Sequence, residues 1–259
     1  MILTLNKMDL ILEIQNTFNL IEIATVDVEN IVRELVDQLY GLETNDYECS
    51  YERRRRYDEG SINLEKLEIK WCQASKVLSD GEEILEFVVP KYSNSEVDYK
   101  IRLYRRILKS EKIDKFIALL TKIMVRNIEK TEGKKWNNFV CSRFHLIGYF
   151  PCPKLHSKAT PNIVHQDNVG WTCIFLLERL NIEGGTNLFF PTSATGKKYD
   201  EVRGHEIIAI DMHNVLDAVV WDDRKLSHHV TPMSREKPGW AGSRVILIID
   251  VWQCDLLSS

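Results

Sequence analysis

From Phe139 onward the chain is cut into short apolar segments by turn residues, and that spacing leaves few folds open. Pro151, Pro153, Pro161, Gly170, Gly184-Gly185, Gly196, Gly204 and Gly239 punctuate it. The intervening runs are too short for helices and read as strands. The first half has a different period. Ile31, Val32, Leu35, Val36, Leu39 and Tyr40 recur at helical spacing from about Asp27 to Tyr40, with Thr25 or Asp27 as the cap. A second helix is expected near residues 112–130, with Ile113, Phe116, Ile117, Leu120, Met124 and Ile128 on one face. Leu20-Ile21-Glu22-Ile23, Leu64 to Cys72 and Ile84 to Val89 read as strands. Residues 44–62 are polar and arginine-rich, and read as a loop or an irregular edge. Helices followed by many short strands point to a mainly β fold with flanking helices, a double-stranded β-helix or jelly roll. One domain over residues 1–259 is the economical reading. Residues 1–130 would supply helical and lid elements, and 131–259 a β-rich core.

Within that core, His165-Gln166-Asp167 is followed by His228 and then by Arg244. Residues i and i+2 of an extended strand point the same way, so His165 and Asp167 can reach one metal ion. His228 must come from another strand. Two imidazoles and a carboxylate on one face, with the opposite positions open, suit non-haem Fe(II) oxygenases. His228 and His229 are adjacent and cannot both face the same ion from a strand. Arg244 heads the run Val245 to Ile249, where its guanidinium could hold a carboxylate by two parallel hydrogen bonds.

The surrounding order is informative. Gly184-Gly185 precedes an apolar stretch, His228-His229-Val230-Thr231-Pro232 follows Trp221-Asp222-Asp223, and Gly242-Ser243-Arg244 opens the last strand. The series His-x-Asp, Gly-Gly, His-x-Val-Thr-Pro, Arg resembles the bacterial amino-acid hydroxylases of the Fe(II)/2-oxoglutarate dioxygenase superfamily, the group that includes L-isoleucine hydroxylase. The likeness covers about residues 140–253. Upstream, Arg53-Arg54-Arg55-Arg56-Tyr57 resembles an Arg-x-Arg-x-Tyr element, and Lys100-Ile101-Arg102 a Val-Arg element.

That resemblance implies Fe(II), 2-oxoglutarate and O2 as cofactor and cosubstrates, with succinate and CO2 released. It assigns His165, Asp167 and His228 to the metal and Arg244 to the far carboxylate of 2-oxoglutarate. The substrate would be a free L-amino acid or close derivative, with Arg53, Arg55, Tyr57 and Arg102 as candidate contacts. The His-x-Val-Thr-Pro spacing selects His228, leaving His229 to face the other side. His145 is either a second layer around the metal or a packed histidine. Trp221 and Trp252 read as core residues.

Other classes stay in view. The same site could act on a peptide, protein or carrier-bound residue, or desaturate or cyclise its substrate. A non-catalytic metal-binding jelly roll or a zinc hydrolase could use the same three ligands, but neither needs a 2-oxoglutarate anchor at Arg244. The net charge of −4, from 34 basic and 38 acidic residues, gives no case for nucleic acid or an anionic membrane. The longest aliphatic run, Val245 to Ile249, is too short to span a bilayer. The N-terminus is broken by charge too early for a secretory segment. The six cysteines are scattered with no Cys-x-x-Cys, so reduced thiols in a cytoplasmic compartment are expected. Oligomeric state is left open.

Overall fold

The computed structural model describes residues 2–5, 25–42, 53–88, 101–152, 163–167 and 169–254. Its strands, in chain order, are β1 (Ile2–Leu5), β2 (Arg53–Asn63), β3 (Glu68–Trp71), β4 (Lys76–Val77), β5 (Glu83–Val88), β6 (Ile101–Arg105), β7 (Phe139–Tyr149) and β8 (Trp171–Leu180). There follow β9 (Ile182–Gly184), β10 (Asn187–Pro191), β11 (Ile208–Ile210), β12 (Ala218–Asp222), β13 (Leu226–Val230), β14 (Met233–Arg235) and β15 (Ser243–Gln253). Two long helices, α1 (Thr25–Tyr40) and α2 (Glu111–Glu132), precede β7, and a short α3 spans Tyr199–Val202.

Seven strands form one antiparallel sheet in the order β1-β12-β8-β15-β7-β2-β3. A smaller sheet, β11-β10-β13, faces it. The architecture is the expected jelly roll backed by helices. Both expected helices form. Ser110 caps α2 by accepting from the Ile113 amide at 3.2 Å, and Gly133 ends it at φ 65°.

Alternation along the strands divides the large sheet into two faces. Val245, Leu247, Ile249 and Val251 of β15, and Val140, Phe144 and Leu146 of β7, pack against Leu35, Leu39, Phe116 and Leu120 of the helices. The opposite face forms ranks of side chains that register places side by side. The first rank is Arg53, Tyr149, Arg244 and Arg179; the second is Arg55, Ile147, Ile246 and Leu176. The third is Tyr57, His145, Ile248 and Ile174; the fourth is Glu59, Arg143, Asp250, Thr172 and Trp221. This inner wall meets Phe189, Val230 and Met233 across the jelly roll.

Residues 53–62 are therefore not a loop or an irregular edge. They form most of an eleven-residue strand lying between β7 and β3. The strand escaped notice because polar partners cover its outer face. Arg54 Nη1 donates to the Leu39 and Tyr40 carbonyls at 3.1 and 2.7 Å, at the last turn of α1. Arg56 donates from Nε to the Gln38 carbonyl at 3.1 Å and from Nη1 to the Arg106 carbonyl at 2.7 Å. Helix-end carbonyls lack partners within the helix, so cations suit them. Below them, Asp58 is buried against Arg106 Nη2 at 2.7 Å. The N-terminal half is thus more than helices and lid, since β1, β2 and β3 complete the main sheet.

The cysteine expectation also needs correcting. Cys141 and Cys254 form a disulfide. The β7–β15 ladder sets Cys141 opposite Trp252, which brings Cys254 within reach across 113 residues. Spacing alone cannot show such a pair. Cys72, Cys152 and Cys173 are free thiols. Cys49 and the expected strand at Leu20 to Ile23 lie outside the described residues. Among the described residues no helix is long and apolar enough to cross a membrane.

Candidate metal centre

His165 and His228 are direct cross-strand partners. The His165 amide donates to the His228 carbonyl at 3.0 Å, and the His228 amide returns the bond at 2.8 Å. The segment carrying His165 thereby extends the small sheet beyond β13, and both imidazoles leave the same face, ring centroids 4.3 Å apart. Asp167, two residues on, turns its carboxylate toward both. Its Oδ1 lies 3.9 Å from His165 Nε2 and its Oδ2 3.6 Å from His228 Nε2. One ligand atom from each of the three residues falls within 4.8 Å of the others. Asp167 keeps 48 % of its side chain exposed, whereas the two histidines are nearly buried. One side of the cluster is therefore open.

Each imidazole has a polar neighbour beside its other nitrogen. His165 Nδ1 lies 3.2 Å from the Ile163 carbonyl, so a proton there leaves Nε2 free to bind metal. His228 Nδ1 lies 3.5 Å from Asp223 Oδ1. Burial and the neighbouring His228 pull the His165 pKa down to about 4, so His165 is neutral at physiological pH. Burial resists charging His228 too, but Asp223 and Asp167 outweigh it and its pKa is raised. Burial would raise Asp167, yet the two histidines win and hold it below the ordinary carboxylate range. His229, next in β13, points the other way and stacks on Tyr199 at 4.8 Å.

Arg244 stands in the first rank of the inner wall, beside Tyr149. It is 1 % exposed, and its Nε and Nη2 have no hydrogen-bond partner. Burial depresses its pKa to about 10. An uncompensated buried guanidinium is costly unless an anion completes it. The glycine pair makes room for it. Gly185 has φ +76°, and a Cβ there would press on Arg244 Cδ at 3.2 Å; at Gly184 one would strike the Pro232 carbonyl oxygen at 2.1 Å.

Residues 38–250 match the family described as 2OG-Fe dioxygenase. The chain belongs to that family. Its cofactor set is accordingly Fe(II), 2-oxoglutarate and O2. The fold is similar to that of a bsmA homologue from Methylobium petroleophilum PM1, with a TM-score of 0.63 at 14 % identity, covering 88 % of this chain and 82 % of that one. It is also similar to IDO from Bacillus thuringiensis, with a TM-score of 0.59 at 15 % identity, covering 98 % of this chain and 90 % of that one. The selenomethionine-labelled Fe(II)/α-ketoglutarate-dependent dioxygenase TqaL has a TM-score of 0.66 at 12 % identity, covering 97 % of this chain and 82 % of that one. At these identities the likeness speaks for the fold. None of the curated proteins matches this chain in sequence.

The residues present fit the 2OG-Fe dioxygenase cofactors. Two nitrogens and a carboxylate converge on one side of a space, as Fe(II) requires. The unpartnered nitrogens of Arg244 suit a distant carboxylate, and Ile147, Ile246 and Ile248 give the wall between an apolar surface. The arginine-rich island is brought to the same wall. Arg53 lies over the Tyr149 ring at 5.6 Å. Arg55 contacts His145 and sits between the rings of Tyr104 at 4.6 Å and Phe87 at 5.3 Å. Tyr57 stacks on His145 at 4.7 Å. Arg102 stands apart from the wall on β6, opposite Phe87 and on the same face as Tyr104. Trp221 is core, as expected, but its ring also lies 5.2 Å from His228. Trp252 is only half-buried, with Arg143 over its ring at 5.3 Å.

Sequence reasoning missed Asp223 and Asp250. Asp223 was visible only as part of the tract before His228. Asp250 could have been found as a lone carboxylate ending the apolar run from Val245.

Proposed function

We propose that the protein hydroxylates the side chain of a free L-amino acid or a close derivative. In this reading His165, Asp167 and His228 hold Fe(II), and Arg244 holds the far carboxylate of 2-oxoglutarate. Residues 1–259 would act as one domain, because β1–β3 and the later strands share one sheet. The carrying observation is the inner wall, which presents two separate cationic stations. Arg244 in the first rank is one; Arg55, beside His145 and the aromatic rings, is the other.

Iron and 2-oxoglutarate, when bound, would activate O2, which is the oxidant: one oxygen atom would enter succinate as the cosubstrate loses CO2, and the other would enter a C–H bond. The chain's own residues position and exclude. His165 offers a neutral nitrogen through Nε2, since Nδ1 keeps its proton and donates it in a hydrogen bond to the Ile163 carbonyl. Asp223 orients His228, and Asp167 contributes the anionic oxygen. Arg244 can clamp one end of a dicarboxylate by parallel hydrogen bonds. Ile147, Ile246 and Ile248 keep water from the space between. Arg55, and Arg53 one rank away, supply cations for an α-carboxylate, with Tyr57 in the same wall.

Anaerobic loading with Fe(II) and 2-oxoglutarate, then air and single free L-amino acids, tests this directly. At least one amino acid should accelerate succinate formation and gain the mass of one oxygen atom. If none does, while a peptide or carrier-bound residue does, the substrate class is wrong. A product lighter by two hydrogens would change hydroxylation to desaturation or cyclisation.

A further inference from the structure

A diagonal of polar side chains crosses four strands of the inner wall and ends on Arg55. It begins at Thr172 on β8, whose Oγ1 donates to Asp250 Oδ1 on β15 at 2.8 Å. Asp250 Oδ2 lies 3.4 Å from His145 Nε2 on β7. His145 Nδ1 is bonded to Arg55 Nη2 on β2. His145 and Arg55 stand one rank apart on adjacent strands, as do His145 and Asp250. Long and aromatic side chains can bridge such diagonal neighbours.

The chain has only one sense. A guanidinium is donor-only, so His145 Nδ1 must accept from Arg55. The imidazole proton therefore sits on Nε2 and points at Asp250. Burial, and then the Arg55 charge, hold the His145 pKa well below its ordinary value, which agrees with a neutral ring. The imidazole is locked further by stacking on Tyr57 and by the edge of Phe87 at 5.4 Å.

Arg55 is left incompletely used. Its Nη1 reaches Tyr104 Oη at 3.4 Å, but its buried Nε has no partner. Its charge also acts on Asp167, which places this end of the chain within electrostatic reach of the metal ligands. We propose that His145 and Asp250 are positioning residues, which with Thr172 hold the Arg55 guanidinium in the orientation that meets the substrate's carboxylate. The proposal rests on reading Arg55 as a substrate anchor. A fold needing only stability would fill this wall with apolar side chains, because a buried polar chain is costly unless every member is satisfied.

The test combines a tautomer measurement with kinetics on the full-length protein. In histidine-labelled, metal-free protein, 15N NMR should show His145 protonated on Nε2 and bare at Nδ1, with the Nδ1 signal moving in Arg55→Ala. A proton on Nδ1, or an imidazolium, overturns the proposal. The kinetic probe is whichever free L-amino acid drives succinate release. His145→Phe keeps the stacked ring but removes both nitrogens. It should raise the amino-acid KM about tenfold or more, with kcat, the 2-oxoglutarate KM and Fe(II) affinity within about twofold. His145→Gln can accept from Arg55 and donate to Asp250, and should recover most of the loss. Arg55→Ala combined with His145→Phe should be no worse than Arg55→Ala alone. If Arg55→Ala raises KM and His145→Phe does not, Arg55 is an anchor that needs no relay, and this inference fails alone. If Arg55→Ala leaves KM unchanged, or no amino acid drives turnover, the anchor reading fails and the inference falls with it.

Discussion

Alternate residues of β15 go to opposite faces of one sheet. Val245, Leu247, Ile249 and Val251 meet the helices, whereas Arg244, Ile246, Ile248 and Asp250 line the interior of the jelly roll. From Val245 to Val251 the outer face is apolar and buried. The inner face carries a guanidinium with unpartnered nitrogens and a carboxyl group that burial, with Asp167, pushes up to about 7. The same backbone thus supports a face that stabilises the fold and a face left incomplete. Groups that cost stability persist where binding needs them. Substitutions on the outer face should change stability and spare binding, and those on the inner face should do the reverse.

The largest expected effects lie at the metal centre. His165→Ala, Asp167→Ala and His228→Ala should each abolish Fe(II) binding and succinate formation while leaving the far-UV circular dichroism unchanged. An unfolded ligand variant would mean that these residues carry the fold as well, and the contrast would weaken. On the outer face, Phe144 is fully buried and meets Trp71 edge-on at 5.3 Å. Phe144→Ala should cost about 3–5 kcal/mol of unfolding free energy, read by urea titration, with Fe(II) affinity of the folded fraction unchanged.

Arg244→Ala sharpens the contrast from the inner side. Losing a buried charge-assisted pair costs about 2–5 kcal/mol, so the apparent affinity for 2-oxoglutarate should fall well over tenfold with iron still bound. Without cosubstrate, the same change should not destabilise the protein, because two unpartnered buried nitrogens leave with the side chain. Arg244→Lys should recover only part of the affinity, since an ammonium cannot make the paired contact. Unchanged 2-oxoglutarate dependence in Arg244→Ala would move the anchor elsewhere.

The arginine run repeats the comparison within four residues. Arg54→Ala should cost about 1–3 kcal/mol of stability through its two helix-end carbonyls and leave the amino-acid KM unchanged. Arg53→Ala and Arg55→Ala should raise KM for at least one of the pair and leave 2-oxoglutarate dependence alone. Equal behaviour of all four would reduce the run to a basic strand. The smallest effect is expected at His229, which turns from the metal and stacks on Tyr199. His229→Ala should keep substantial activity and lose about 1 kcal/mol. An inactive His229→Ala beside an active His228→Ala would overturn the ligand assignment.

The helices and later strands were legible because each has its own period. In α2, Ile113, Phe116, Ile117, Leu120, Met124 and Ile128 mark a buried stripe whatever lies across from it. The clustering of His165, Asp167 and His228 was legible because His165 and Asp167 are near neighbours and His228 sits in a recognisable tract. β2 was not. On its outer face Arg54 and Arg56 meet helix carbonyls and Asp58 meets Arg106 rather than apolar side chains, so no hydrophobic alternation marks Arg53 to Tyr57 as strand.

By itself the sequence determined which segments are amphipathic, where the turns fall, and which histidines and carboxylate can converge on a metal ion. These depend on interactions over a few residues, and spacing records them. Only the tertiary structure decided which arginines turn inward, which cysteines pair, and that Arg55, His145, Asp250 and Thr172 line up as one chain of polar side chains. Arg55 and His145 are 90 residues apart, and Thr172 and Asp250 are 78 apart. Their contact depends on the register of four strands, and register is set by the whole sheet burying one face against the helices rather than by any segment alone.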